Sequence, residues 1–220
     1  MKIVYIPTVS KTKPDLSSIK AKLPSKVLLF TTAQYLPYLE DMKKQIGGHV
    51  IKPKLSHTSN LGQILGCTKL SKDDVLGYDA ILYVGDGVFH PIALSNDLID
   101  VFCFNPRSKE FTKLDENYFS KIEKKKKLGL NKFYRSKEIG VLISTKFGQK
   151  RTGLMSALEK NYPDKHFYGI IFDTLDGSKL IDFNFLDMYI NTACPRIAVD
   201  DDLEKPCLNI SDLEELKIDW

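Results

Sequence analysis

Residues 78–91 read YDAILYVGDGVFHP, an apolar run that ends in a loop bounded by glycines. Residues 80–84 carry no charge and show no polar alternation, and such a short apolar run predicts a strand buried on both faces. Gly85, Asp86 and Gly87 follow and end the strand. Loops that leave the carboxyl ends of parallel strands bind ligands in open α/β sheets, so we expect this loop to line a site.

Comparable apolar runs surround this stretch in the first half of the chain. Residues 27–30, 50–51 and 101–104 predict three more strands, and residues 36–46 carry apolar side chains at helical spacing before a glycine pair. Strands that alternate with helices are typical of a parallel sheet covered on both faces. The first half therefore predicts one doubly wound α/β unit.

The second half repeats this order of elements. Residues 139–143, 168–172 and 185–190 predict strands, and residues 154–158 predict a helix. The repeat predicts an α/β fold made of two tandem, homologous, doubly wound parallel-sheet (Rossmann-like) domains. When the hydroxyl pair at 31–32 is aligned with the pair at 144–145, the loop 85–87 becomes the equivalent of the loop 193–195. Each loop is then expected at the ligand-binding edge of its own sheet.

The predicted domains are residues 1–113 and residues 129–220, joined by a connecting helix over residues 114–128. This segment carries a lysine run at 124–127. We expect the run to be the solvated face of the helix rather than a binding patch, so no direct contact with nucleic acid is predicted.

Composition narrows the class of protein further. The chain has 220 residues, 43% of them hydrophobic, with 32 Lys and Arg against 28 Asp and Glu. No apolar run reaches the roughly 18 residues of a membrane span, and the N-terminus does not resemble a signal peptide. The four cysteines form no CxxC pair, which argues against a zinc ribbon or a disulfide framework. We therefore expect a soluble, cytoplasmic protein without membrane contact and with reduced thiols.

Cys194 is the first candidate functional thiol. It follows a predicted strand in NTACPR, residues 191–196, where Arg196 supplies a cation that favours the thiolate form. A thiolate at a strand end suits metal binding or nucleophilic attack. An isolated cysteine also serves as a small apolar residue under a loop. The residues alone leave both interpretations open.

Cys67 is the second candidate thiol. It follows Gly66, which lets the backbone pass close to a ligand, and a predicted helix start lies nearby at residues 71–74. The same glycine could serve a tight turn with no ligand. Cys103 lies inside an apolar strand and is predicted to be a core residue, whereas Cys207 has no polar neighbourhood that indicates a function.

Two further loops carry polar groups at predicted strand ends. Asp86 and His90 suit the binding of a polar small molecule, although His90 could equally cap a helix. Residues 144–149, STKFGQ, place hydroxyls and Lys146 after a strand, where they could bind a carboxylate or phosphate or merely cap a helix.

Four segments together resemble the signature segments of the diphthamide-synthesis radical enzymes, in order and in spacing. They are GQILGC (62–67), YVGDGVFHPIAL (83–94), STKFGQ (144–149) and NTACPRIAVDD (191–201). The resemblance extends from about residue 26 to the end of the chain, and the combination is more specific than any single motif.

The resemblance implies a three-domain plan of which two domains are visible here. Family members resemble three tandem copies of one α/β domain, and each copy contributes one cysteine to a 4Fe-4S cluster. Cys67 matches the cysteine of the middle domain and Cys194 that of the last domain. The first domain and its cysteine are missing, so we expect a separate chain to supply them in a homo- or hetero-oligomer.

The chemistry that the resemblance implies is an atypical cleavage of S-adenosylmethionine. The enzyme 2-(3-amino-3-carboxypropyl)histidine synthase transfers the 3-amino-3-carboxypropyl group, as a radical, to a histidine of translation elongation factor 2, which begins diphthamide synthesis. The cluster donates the electron, and no catalytic residue beyond the cluster ligands is assigned. The residues expected to line the pocket or hold the substrate are Gly85, Asp86, Phe89, His90, Lys146, Gln149 and Arg196.

Three hypotheses follow for the function of the chain. The first is a catalytic subunit of a split enzyme, completed by the partner that carries the first domain. The second is a non-catalytic scaffold subunit that supports a complete catalytic partner, which retention of both cysteines argues against. The third is a generic nucleotide-binding α/β enzyme, which would bind its ligand without iron.

Overall fold

The computed structural model describes residue 6 and residues 8–53, 60–94, 98–200 and 203–213, with only the backbone of Glu116. The chain divides into two compact units, Met1–Phe119 and Ser120–Trp220. Each unit contains its own sheet.

The first unit is built on a four-stranded sheet with the order β1-β2-β3-β4. The strands are β1 (Val27–Thr31), β2 (Ala80–Val84), β3 (Asp100–Phe104) and β4 (Phe111–Lys113). The first three strands are parallel and β4 is antiparallel to β3. Every residue of β1 and β2 is buried, as the unbroken apolar runs predict.

Helices cover the first sheet. They are α1 (Leu39–Ile46) and α2 (Lys72–Val75), with short 3₁₀ helices at Lys20–Lys22, Ala33–Tyr38 and Pro91–Leu94. Leu39 and Met42 of α1 are buried against one face of the sheet, and Gly47 ends the helix with a left-handed φ of 70°. The opposite face packs against a separate cluster that includes Ile64 and Leu94. The first sheet is therefore covered on both faces.

The second unit has a fully parallel sheet with the order β6-β5-β7-β8. Its strands are β5 (Glu138–Ser144), β6 (His166–Phe172), β7 (Met188–Asn191) and β8 (Cys207–Asn209). Its other elements are α4 (Gly153–Asn161), α5 (Arg196–Asp200) and 3₁₀ helices at Gly177–Phe183 and Ile210–Asp212. Apolar clusters again lie on both faces.

The long helix α3 (Glu116–Arg135) contains the boundary between the units. It continues past residue 128, where the predicted connecting helix ends, because Leu130 and Phe133 pack into the core of the second unit. Two side chains of the lysine run contact their own unit. The Lys125 ammonium donates to the carbonyl of Val199 at 3.0 Å, and Lys126 lies 3.8 Å from a carboxylate oxygen of Asp212.

The structure corrects several of the predicted strands. Residues 50–51 form no strand, since in the described part of this segment only His49 makes a bridge to β1, with Leu28. The predicted strand 185–190 begins only at Met188, because Leu186 closes a turn with the carbonyl of Phe183. Strands β4 and β8 were not predicted. The antiparallel β4 also makes the first sheet mixed rather than purely parallel.

Both units nevertheless begin their central strands in the same way. Asp79, just before β2, accepts hydrogen bonds from the Lys26 N–H and the Ser25 hydroxyl, both at 3.0 Å. Asp187, just before β7, accepts from the N–H groups of Lys137 and Glu138 at 3.0 and 3.1 Å. The two carboxylates thus bind the start of the neighbouring strand in each unit. Homology of the two units stays a prediction, which this shared arrangement supports.

The carboxylate of Asp187 makes stability of the second unit depend on pH. Burial raises the pKa of Asp187, but the two backbone N–H groups, together with the nearby cations of Lys132 and Lys205, outweigh it and hold the pKa below its usual value. A lowered pKa stabilises the folded state above the unfolded-state pKa, and this contribution is lost as pH falls through the folded-state pKa. We expect Asp187→Ala to lower the free energy of unfolding by about 1–2 kcal/mol at pH 7.

Urea unfolding at several pH values tests this expectation. The difference between wild type and Asp187→Ala should shrink as the pH falls below about 4, where the unfolded-state carboxyl takes up its proton. The matched control is Asp182→Ala, which removes an exposed carboxylate of the same unit and should change stability little at any pH. A difference independent of pH would contradict the assigned role of the carboxylate.

Candidate functional site

The loop after β2 is held at the carboxyl edge of the first sheet. The N–H of Gly85 donates to the carbonyl of Phe104 at 3.0 Å, and Gly87 has a φ of 65°, which favours glycine. The Tyr35 hydroxyl donates to the Asp86 carboxylate at 3.1 Å. The predicted site residues Gly85 and Asp86 therefore lie at the strand end, as the sequence predicts.

Cys67 lies in a turn beside the same edge. The segment before it is tied to β1, because the Thr31 N–H donates to the carbonyl of Gly62 at 2.8 Å and the Ile64 N–H donates to the carbonyl of Thr31 at 3.0 Å. The turn is closed where the Leu65 N–H donates to the Thr68 hydroxyl at 2.9 Å. The half-buried Cys67 thiol is thereby fixed beside the carboxyl end of β1.

Phe89 joins the two loops of the first unit. Its ring lies so close to Gly66 that a Cβ atom on this glycine would come within 2.7 Å of the ring. The ring also meets His90 edge to face, with centroids 5.2 Å apart. Phe89 is 47% exposed, so the ring forms part of the surface beside Cys67. The GDGVFH and GC motifs, distant in sequence, are thus neighbours in the structure.

A groove of about 370 Å³ adjoins Asp86 in the first unit. The residues that line it are Thr8, Val9, Ser10, Lys11, Thr12, Gln34, Asp86 and Arg107. The N-terminal segment is anchored there by the Ser10 N–H, which donates to the Gln34 carbonyl at 3.0 Å. Apart from Asp86, none of these residues was predicted. Arg107 belongs to the β3–β4 turn, and because β4 was not predicted, its approach to Asp86 was not either.

In the second unit, Asn191 organises the Cys194 loop. Its side-chain amide donates to the Cys194 carbonyl and to the Asn209 side-chain oxygen, both at 2.8 Å, and its side-chain oxygen accepts from the Ala193 N–H at 3.0 Å. Asn209 in turn donates to the carbonyl of Pro195 at 3.0 Å. The half-buried Cys194 is therefore held by two asparagines that the sequence analysis did not select.

Arg196 begins α5 directly after this loop and is almost fully buried. Its guanidinium pairs with the Asp200 carboxylate at 2.6 Å, one helical turn away. This pair fixes the direction of the guanidinium beside the Cys194 loop. A role for Arg196 in holding a substrate stays a prediction.

The STKFGQ loop lies at the carboxyl end of β5, next to β7. The Lys146 N–H donates to the buried Ser144 hydroxyl at 3.1 Å, and the Gln149 N–H donates to the Lys146 carbonyl at 3.0 Å. Gly148 completes the turn with a φ of 79°. The side chain of Lys146 is exposed and that of Gln149 is half-buried. Within the second unit, Lys146, Gln149, Cys194 and Arg196 therefore all follow strands at one edge of the sheet.

The remaining cysteines are core or near-core residues. Cys103 is buried in β3, and burial raises the pKa of its thiol to about 12, which makes it unreactive. The prediction of a core residue at Cys103 is confirmed. Cys207 is half-buried in β8 and packs beside the apolar cluster of Leu180 and Tyr189.

The donor set suits an iron–sulfur cluster only in part. Thiolates are the usual protein ligands of such clusters, and each unit presents one half-buried thiol at the carboxyl edge of its sheet. Among the described residues, no group of three or more His, Cys, Asp and Glu side chains is placed to hold a metal ion. Each unit by itself therefore supplies one candidate thiolate ligand, and the joint use of Cys67 and Cys194 stays a prediction.

Within the part of the chain that the structure describes, no helix has both the length and the apolar character needed to cross a membrane.

Known proteins with similar sequences belong to the family that the motifs indicate. The 2-(3-amino-3-carboxypropyl)histidine synthase of Methanocaldococcus jannaschii is 35% identical over 183 residues, which cover 80% of this chain and 46% of the relative. Subunit 1 of the synthase of Saccharomyces cerevisiae is 25% identical over 217 residues, which cover 91% of this chain and 50% of the relative. The chain thus spans about half the length of these curated relatives.

A similar fold occurs in the crystal structure of Dph2 from Pyrococcus horikoshii with a 4Fe-4S cluster. The TM-score is 0.72 at 26% identity, and the match covers 90% of this chain and 60% of that one. The model of the diphthamide synthesis protein family matches residues 1–217, nearly the whole chain. On this match the chain belongs to the diphthamide synthesis protein family.

Proposed function

We propose that this chain is a subunit of 2-(3-amino-3-carboxypropyl)histidine synthase and that it acts with a partner that supplies the first domain. The enzyme would transfer the 3-amino-3-carboxypropyl group of S-adenosylmethionine to a histidine of translation elongation factor 2. Support comes from the relatives that bear this name and from the family match. The chain spans about half the length of these relatives, and the proposed partner would supply the remaining part of the enzyme.

The observation that best supports the proposal is the contact between the GDGVFH loop and the turn that holds Cys67. The turn that holds Cys67 is bonded to β1, and the Phe89 ring packs on the preceding Gly66. An exposed aromatic ring beside a half-buried thiol would exclude water from one side of a metal cluster. A glycine pair and the Asp86 carboxylate at the same strand end would leave space for a polar small molecule.

Cys67 and Cys194 would hold a 4Fe-4S cluster together with a third thiolate from the partner. When bound, the cluster supplies the electron that allows reductive cleavage of S-adenosylmethionine. Lys146, Gln149 and Arg196 would orient the amino-acid end of the substrate, since cations and amide groups bind a carboxylate. Gly85, Asp86, Phe89 and His90 would line the pocket.

Overall, the substrate would lose its carbon–sulfur bond and release methylthioadenosine after one-electron reduction. The imidazole C2 would gain the aminocarboxypropyl group and give up one proton and one electron. The contribution of this chain is to hold the ligands and to shield the site from water.

The alternative is a scaffold subunit that supports a complete catalytic partner. The name "subunit 1" of the yeast relatives implies a partner subunit in those enzymes. A partner subunit is what the scaffold hypothesis requires. Under the scaffold hypothesis, the thiols of this chain would be dispensable while its fold would not. The catalytic hypothesis requires both thiols.

Anaerobic incubation of the reconstituted two-chain complex with S-adenosylmethionine and dithionite separates these hypotheses. We expect methylthioadenosine to form, as measured by chromatography, and its rate to fall at least a hundredfold with Cys67→Ala. Unchanged formation with both Cys67→Ala and Cys194→Ala would contradict the catalytic hypothesis and favour the scaffold. A Cys207→Ala complex is the matched control and should keep the wild-type rate.

A further inference from the structure

Tyr83 is a fully buried residue of β2 whose hydroxyl has no hydrogen-bond partner among the residues that the structure describes. A buried polar group without a partner is costly in a folded protein, and such groups are rare. Burial accordingly raises the pKa of Tyr83 well above its usual value, so the hydroxyl keeps its proton and is a donor at neutral pH. Within the described residues this donor therefore has no acceptor.

Tyr189 in the second unit provides a direct comparison. It lies in β7, is equally buried, and its hydroxyl donates to the carbonyl of Leu180 at 3.1 Å. A buried tyrosine of this chain can therefore be fully satisfied. The two tyrosines differ in what stands next to the hydroxyl.

The Tyr83 hydroxyl lies directly beneath the candidate site loop. A Cβ atom on Gly85 would overlap this hydroxyl, so only glycine fits at the first position of the loop. The ring also stacks on His90, with centroids 6.5 Å apart and planes inclined by 21°. His90 contacts Phe89, which packs on Gly66 beside Cys67. A continuous row of side chains thus connects Tyr83 to the Cys67 turn.

We propose that Tyr83 is a positioning residue of the site, and that its hydroxyl donates a hydrogen bond to the 85–90 loop once the site is loaded. This inference rests on the proposed function, because it requires a cluster or substrate that moves the loop. The Asp86 carboxylate and the loop carbonyls are the acceptors within this segment. In the ligand-free chain the phenol acts only as a steric support under Gly85.

Tyr83→Phe tests the inference in two states of the protein. In the ligand-free full chain it removes a hydroxyl that bonds to none of the described residues, so the thermal unfolding midpoint should not fall. The matched control Tyr189→Phe removes a bond that is made and should lower the midpoint by about 2–4 °C. If Tyr83→Phe lowers the midpoint as much as the control, the hydroxyl already has a partner and the inference is wrong.

The second state is the complex with the first-domain partner, reconstituted anaerobically with ferrous iron and sulfide. Loading should raise the unfolding midpoint of wild type and of Tyr189→Phe by the same amount. The rise should be smaller with Tyr83→Phe, and the electron paramagnetic resonance spectrum of its reduced cluster should shift. An equal rise and an unchanged spectrum would overturn the inference while leaving the proposed function intact.

Two further outcomes complete the test. If the wild-type complex takes up no iron, the proposed function fails and the inference fails with it. Gly85→Ala should lower the ligand-free midpoint in both backgrounds, because the added methyl would come within 2.6 Å of the ring carbon Cζ, and it should lower it more in wild type, where the methyl also overlaps the hydroxyl. Equal effects in both backgrounds would contradict the steric support.

Discussion

Replacing either Cys67 or Cys194 with alanine is expected to reduce the iron content of the reconstituted complex to background. A 4Fe-4S cluster with one open iron requires three thiolates, and loss of one leaves too few protein ligands to retain it. Both thiols are half-buried, Cys67 in a turn beside β1 and Cys194 in the loop after β7, so their removal should leave the fold intact. Iron and sulfide analysis with circular dichroism as a folding check measures the effect.

Cys207→Ala is the control for this pair of variants. Cys207 is also half-buried, but it lies in β8 beside an apolar cluster and should not bind iron. Its replacement should therefore leave the iron content at the wild-type value. Retention of iron by both the Cys67→Ala and Cys194→Ala complexes would contradict the assignment of these thiols as ligands.

Asn191→Ala is expected to have the largest effect on stability and to loosen the Cys194 loop as well. The side chain is 1% exposed and makes three hydrogen bonds, to Cys194, Asn209 and Ala193. Truncation leaves the buried Ala193 N–H and the Asn209 side-chain oxygen without this partner, while the Cys194 carbonyl keeps the Ile197 N–H, so we expect the free energy of unfolding to fall by about 3 kcal/mol. Urea unfolding of the full chain measures this loss.

Two other variants serve as comparisons for the stability loss of Asn191→Ala. Asn161→Ala removes one exposed hydrogen bond on α4 and should change the free energy by less than about 0.5 kcal/mol. Asn191→Asp keeps the acceptor for the Ala193 N–H but turns a buried carboxylate toward the Cys194 carbonyl and the Asn209 side-chain oxygen, so its stability at pH 7 should fall at least as far as that of Asn191→Ala. A loss below about 1 kcal/mol for Asn191→Ala would mean that the loop is held by other contacts.

The central strands could be predicted because burial on both faces leaves a clear mark in the sequence. The run at 80–84 became β2 with the predicted bounds, and the loop after it lies at the predicted edge. Local composition is sufficient for such strands, since their neighbours on every side are apolar. The positions of Asp86 and Cys194 at strand ends follow from this pattern alone.

Short edge elements could not be predicted in the same way. Strands β4 and β8 span only Phe111–Lys113 and Cys207–Asn209, too few residues to show a period. They form because a neighbouring strand offers backbone groups for hydrogen bonding. This pairing depends on the tertiary structure and leaves no pattern in the local sequence. Residues 50–51 show the reverse, an apolar pair that forms no strand, because the bridge to β1 is made by the preceding His49 alone among the described residues of this segment.

The same limit explains which site residues were missed. Asn191 stands in the NTACPR motif, yet its role depends on Asn209, which β8 brings beside β7. The contact between Phe89 and Gly66 likewise joins loops that are distant in sequence. The ion pair of Arg196 and Asp200 could have been predicted from the sequence, because opposite charges four residues apart on a helix lie on the same face.

The mass of elongation factor 2 after reaction tests the central claim most directly. The purified factor is incubated anaerobically with this chain, its first-domain partner, S-adenosylmethionine and dithionite, and is then analysed by tandem mass spectrometry. We predict one added 3-amino-3-carboxypropyl group on a single histidine, absent when this chain is omitted or carries Cys67→Ala. A complex that contains iron and cleaves S-adenosylmethionine, yet leaves the factor unmodified, would contradict the proposed function.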